Sequence, residues 1–202
     1  MRRESSTVVG LAGEIDEQFL GRVAQFPNVS VARAPAGDHH SSVLAGAEAM
    51  REAARRRSTY VLVPDDPLAD VAAGWRAMWD LSAGPAGPAQ FEERAAEALA
   101  AWRDERFELP DYYLVLAGPA PEATGPDLYL GPLRAVRPRR VALAATPGSP
   151  AAADSPAAQA ASLLDTLRSL EHGPWWPPLD ELIDAARRFY AGGLTESQLA
   201  GA

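Results

Sequence analysis

Two short stretches hold the residues best suited to chemistry. "GDHHSS" (37–42) sets Asp38 before two of the three histidines, His39 and His40, and "VPDDP" (63–67) sets Asp65 beside Asp66. A neutral imidazole near a carboxylate can bind a divalent ion, or act as a base that the carboxylate orients. Adjacent histidines on an extended loop point apart, so they are a poor joint ligand pair. A metal centre here would draw its ligands from Asp38, His39, Asp65 and Asp66. Water on that ion would attack a substrate, as in a metal-assisted hydrolase or lyase, with His39 or His40 and Asp65 or Asp66 as the catalytic groups. Two adjoining carboxylates can also hold magnesium or share one proton.

Each stretch also reads as a helix start. Ser41 or Ser42 suits an N-cap for a helix beginning near Val43. Asp65 or Asp66 would cap the next helix, with Pro67 at its first position and Asp70 in its first turn. "GLAGEID" (10–16) offers Gly10 and Gly13 as a phosphate-binding turn, but it carries GxxG where a dinucleotide site has GxGxxG, and Glu14 would repel a phosphate. A tight strand-to-helix turn accounts for both glycines. No cofactor is identified; a divalent metal is the one candidate. No G-x-S-x-G elbow occurs, which argues against a serine hydrolase.

Two further segments carry recognition chemistry. "RAVRPRRV" contains Arg134, Arg137, Arg139 and Arg140, whose guanidiniums could fork onto phosphate or carboxylate. They precede an apolar run and so belong at the amino-terminal edge of a sheet, where a salt-bridged or solvated face is expected. "EHGPWWPPLDEL" places Trp175 and Trp176 in a stiff, proline-flanked segment. If extended, the two indoles point to opposite sides. One would pack inside the protein and the other would meet a partner chain, as interface aromatics do.

These residues need a frame. Five apolar runs, 7–12, 29–33, 59–63, 112–117 and 141–145, read as strands. They are nearly continuous, the pattern of a parallel sheet covered on both faces. Between and after them, apolar residues recur at helical spacing: Ile15, Phe19, Val23 and Phe26; Val43, Ala47 and Met50; Val71, Trp75 and Met78; Phe91, Ala95, Leu99 and Trp102; Leu164, Leu167 and Leu170; Leu179, Leu182, Ile183 and Ala186. The alternation predicts an open, mostly parallel five-stranded α/β sheet, Rossmann-like or flavodoxin-like, with helices on both faces and a C-terminal helical extension. One domain is expected over 1–192, with a flexible tail at 193–202. Ligands of such sheets bind beyond the carboxyl ends of the strands, where "GDHHSS", "PDDP" and "GLAGEID" all fall.

Composition narrows the function. The net charge of −8 opposes binding to nucleic acid or an anionic membrane. There is no cysteine, which excludes disulfides, thiolate nucleophiles and cysteine zinc sites. All 19 basic residues are arginine, so lysine Schiff bases and the phosphate-loop lysine are excluded too. Missing lysine beside abundant Ala, Arg, Pro and Gly reads as the codon bias of a GC-rich bacterial genome. The opening apolar run is too short for a secretory signal, so a cytoplasmic location is expected. The leading expectation is a binding or accessory protein that takes a small ligand at the carboxyl edge of the sheet, or a protein partner. The alternatives are the metal-assisted enzyme and an oligomeric interaction subunit docking through Trp175 and Trp176.

Overall fold

The five apolar runs become five strands, β1 (Thr7–Ala12), β2 (Val29–Val31), β3 (Tyr60–Val63), β4 (Tyr112–Ala117) and β5 (Val141–Ala145). The computed structural model describes residues 6–13, 15–36, 41–80, 84–117, 127–145 and 156–200. All four strand pairings are parallel, in the spatial order β2-β3-β1-β4-β5. This is the open α/β class that the sequence predicts. β2 and β3 stand in the reverse of the order found in dinucleotide-binding sheets.

The helices are α1 (Glu17–Val23), α2 (Ser42–Ala53), α3 (Ala69–Trp79), α4 (Ala86–Arg103), α5 (Arg134–Val136), α6 (Pro156–Arg168) and α7 (Leu179–Ala200). A π-helical turn, Tyr129–Leu133, runs directly into α5. From β1 the chain travels to the edge strand β2, returns through β3, then crosses β1 to reach β4 and β5. Reversing the direction of travel while keeping one crossover hand sends the connections to opposite faces. Accordingly Val9, Leu11, Leu62 and Leu114 face α1 and α6, meeting Phe19, Val23, Leu163 and Leu167. On the other face Val8, Val61 and Val63 meet α2 through Ala49, Met50 and Ala53. Tyr113 and Val115 continue that second face into the core formed with α3, α4, the π turn and α7.

That second core is aromatic. Trp75 is fully buried, with Trp79, Phe91 and Tyr190 set edge-on to it at centroid distances of 5.7, 5.9 and 6.5 Å. Such geometries place the positive ring edge on the negative face. α7 closes the layer with Leu179, Leu182, Ile183 and Ala186, all buried, while Arg187 grips Glu92 of α4 with two charge-assisted hydrogen bonds, 3.0 and 2.6 Å. Among the described residues, no helix is long and apolar enough to cross a membrane.

Candidate functional site

The two adjacent aspartates after β3 go separate ways. Asp65 turns toward the segment after β2, where its Oδ2 accepts the Ala34 N–H at 2.7 Å. Asp66 turns under the sheet edge and is 5 % exposed. Its Oδ1 accepts from the Leu68 N–H and from the Tyr113 hydroxyl, both at 3.0 Å, and its Oδ2 accepts from the Tyr129 hydroxyl. One carboxylate thereby joins the loop after β3, the start of β4 and the π turn. Asp127 holds that turn in place by accepting the Tyr129 and Leu130 N–H groups at 2.8 and 2.9 Å.

Burial dominates the electrostatics of this group. It pushes the Asp66 carboxyl up to about 6, against the three hydrogen bonds that favour the ionised form. Burial and the nearby Asp66 charge push both tyrosine hydroxyls well above their usual range, which keeps them neutral donors. The tyrosine rings lie 4.9 Å apart, and Trp176 packs edge-on to Tyr113 at 5.8 Å. This cluster can hold or release one proton near neutral pH inside a closed core.

The remaining carboxyl-edge candidates among the described residues serve turns and caps. Asp16 Oδ1 accepts from the Gln18 N–H and caps α1. Ser42 and Asp70 cap each other's helices: Asp70 Oδ2 accepts the Ser42 N–H at 2.8 Å, and Ser42 Oγ accepts the Asp70 N–H at 3.0 Å. Ser41 precedes α2 but makes no side-chain cap bond. Gly13 has φ +113°, and a Cβ there would stand 2.7 Å from the Leu116 carbonyl oxygen. Gly10 leaves room for a neighbour: a Cβ would stand 2.9 Å from both Pro110 Cγ and Tyr113 Cε1. Asp38, His39, His40 and Glu14 lie outside the described residues. Among the described residues no group of three or more metal-ligating side chains gathers.

A cleft of about 980 Å³ opens at the opposite, amino-terminal edge of the sheet. Its inner wall is apolar, with Val8 at the start of β1, Met50 near the end of α2, and Phe107 and Leu109 before β4, all buried. Trp102 and Trp175 form its rim, and Arg103, Glu105, Glu108 and Asp111 supply its charges. Asp111 stitches the base to β1, since its Oδ2 accepts the Val8 N–H at 2.6 Å and its own N–H donates to the Val8 carbonyl at 2.8 Å.

Trp175 is 50 % exposed, whereas Trp176 is 6 % exposed and donates its indole N–H to the Pro110 carbonyl at 2.8 Å. The backbone that carries them is clamped by arginine. Arg140 donates to the carbonyls of Gly173 and Pro174 at 2.7 and 3.0 Å and to that of Asp111 at 3.0 Å. Arg137 Nε donates to the Trp175 carbonyl at 2.6 Å. The Arg140 guanidinium carbon also sits 4.9 Å from the Tyr112 ring centroid and 4.7 Å from that of Trp175. The expectation of a solvated arginine face therefore fails at Arg140, which is 7 % exposed. Satisfied donors and two ring faces compensate its burial.

Comparison with protein-family models, with curated proteins and with solved structures yields no match.

Sequence reasoning misses four contributors. Tyr113 lies in an apolar run and Tyr129 in a loop, and neither suggests a polar role. Yet a buried tyrosine hydroxyl needs a partner, and Asp66 is an acid available to both. Glu105 and Glu108 fall in a connection without periodicity. A usable signal is present there: α4 ends at Arg103 with no glycine after it, and Glu105 takes the left-handed position, φ 55°.

Proposed function

We propose that this chain is a cytoplasmic binding protein whose ligand seat is the cleft beside Trp175 at the amino-terminal edge of the sheet. The observation that carries this reading is a half-exposed tryptophan whose backbone is locked by Arg137 and Arg140 over a cleft of about 980 Å³. Ligand sites are concave, largely apolar and mostly preformed, commonly about 300–1,000 Å³. A locked aromatic wall loses little entropy when a ligand stacks on it. The metal-assisted reading needs His39 or His40 beside Asp65 or Asp66, and both histidines lie outside the described residues.

The test uses indole as a neutral aromatic probe, followed by tryptophan fluorescence and by amide chemical shifts. Saturable binding with shifts centred on Val8, Trp102 and Trp175, lost in Trp175→Ala with the fold intact, supports the reading. Absence of saturation at millimolar indole, or binding untouched by Trp175→Ala, sinks it.

A further inference from the structure

The two edges of the sheet are built differently. β2 ends one side with only three residues, Val29–Val31, and Arg33 just beyond it is paired with Glu17 at 2.8 Å. Shortness and nearby charge are ordinary ways of keeping an edge from pairing. β5 ends the other side with five residues, "VALAA", and carries neither a charge nor a proline. Its inner side is fixed on β4, where Tyr113 is in register with Val141 and the Tyr113 N–H donates to the Arg140 carbonyl at 2.8 Å. In a parallel ladder with that register, Ala142 and Ala144 turn their backbone groups toward β4. Val141, Leu143 and Ala145 turn theirs outward, and among the described residues no strand lies on that side. Leu143, the middle residue, is 51 % exposed, whereas Val141 and Ala144 are 4 % and 3 % exposed.

On these grounds we infer that β5 is a self-association edge, and that its partner is β5 of a second copy, antiparallel about a two-fold axis at Leu143. Closed two-fold dimers are the commonest homo-oligomers, and they require a surface that complements itself. β5 meets that requirement: reversed on itself, it sets Leu143 against Leu143, Val141 against Ala145 and Ala142 against Ala144. Each outward residue then exchanges both its N–H and its C=O with the residue opposite, and no polar group of the edge is left over. The exposed Leu143 side chains meet on the sheet face shared with Val115 and the aromatic core, their Cα atoms about 5.5 Å apart. An unrelated strand would satisfy the same backbone groups, but β5 offers it no charge by which to be recognised. Two five-residue edges bury less than the roughly 1,200–2,000 Å² of a standard interface, so the dimer is expected to dissociate in the micromolar range. The inference is independent of the cleft beside Trp175.

Sedimentation equilibrium of the full chain tests it, at about 0.15 M salt so that the −8 charge of each copy is screened. Monomer and dimer are expected to exchange across the micromolar range. Leu143→Lys and Leu143→Glu, both at an exposed side chain, should each weaken dimerisation at least tenfold, because like charges then stand directly opposite. An equal mixture of the two variants should return to within threefold of the parent, since a two-fold at position 143 sets lysine against glutamate. A parent that stays monomeric at millimolar concentration overturns the inference. So does a dimer that Leu143→Lys leaves intact, or one that the mixture fails to restore. Should the charged variants fail to fold, amide exchange in the parent decides. The Val141 and Leu143 N–H groups should exchange more slowly as dimer accumulates, and rates that do not change with concentration overturn the inference.

Discussion

The guanidinium carbon of Arg140 sits 4.7 Å from the centroid of the Trp175 ring, and the same side chain donates to three backbone carbonyls. One buried side chain therefore supports both the rim of the cleft and the turn that delivers α7. Arg140→Met fills space but leaves those carbonyls without their donors, and buried unsatisfied groups cost about 1–3 kcal/mol each. The expected loss is about 2–4 kcal/mol of unfolding free energy, allowing for partial rehydration. Arg140→Lys should recover less than half of it, because an ammonium cannot spread over three acceptors and two rings. Urea midpoints of the three proteins decide the matter. A lysine variant as stable as the parent would show that the planar fork is not what holds the clamp together.

Asp66 makes stability depend on pH in an unusual direction for a carboxylate. Its folded-state value, about 6, lies above its ordinary 3.8. The folded protein then binds this proton more tightly than the unfolded chain does. The contribution is fully present below pH 3.8 and is lost as pH rises through 6. A carboxyl raised from 3.8 to about 6 by burial is worth roughly 3 kcal/mol in all. Asp66→Asn cannot ionise, so subtracting its unfolding free energies from those of the parent isolates the effect. The parent's advantage should fall by about 2–3 kcal/mol between about pH 4 and pH 7. A difference that stays flat across that range would show that Asp66 titrates as an ordinary carboxylate.

The strands were legible because β1, β3 and β4 are covered on both faces, so an apolar run such as "YYLVLA" marks β4 almost to the residue. Their spatial order was not, because it is fixed by contacts between α1 and α6, and between the π turn and β4, that are far apart in sequence. The split between Trp175 and Trp176 followed from extended geometry alone. Which of four clustered arginines would be buried did not, since it turns on the carbonyls of Gly173 and Pro174, far along the chain. The cleft escaped because it forms where β1, α2, the end of α4 and the connection before β4 meet, a junction that no local periodicity marks. Asp66 reads as a helix cap for a good reason: it does accept the Leu68 N–H, and only the tertiary fold adds Tyr113 and Tyr129.

Two helical glycines should answer oppositely to alanine. A Cβ at Gly46 in α2 would stand 2.4 Å from Pro67 N and 2.5 Å from its Cα, so α2 and the loop after β3 must separate. At Gly21 in α1 nothing lies within 4 Å. Gly46→Ala should cost about 2–3 kcal/mol through overpacking. Gly21→Ala should add about 0.5–1 kcal/mol through helix propensity. Thermal unfolding of both single variants checks the pair. A Gly46→Ala protein as stable as the parent would mean that α2 and Pro67 can separate at no cost.

Glu105 offers the converse experiment, in which stability is gained where a cleft-lining carboxylate is given up. Its φ of 55° is one that residues with a Cβ adopt at a penalty and glycine adopts freely. Glu105→Gly should therefore stabilise the fold by about 1 kcal/mol, less the added entropy of the unfolded chain. For a chain of this size that raises Tm by about 2–4 °C. Glu105→Ala removes the same charge but keeps a Cβ, so it should show no such gain. Calorimetric scans of the two variants separate backbone strain from carboxylate repulsion. An equal rise in both would locate the penalty in the charge of Glu105, and the left-handed turn would then carry none of it.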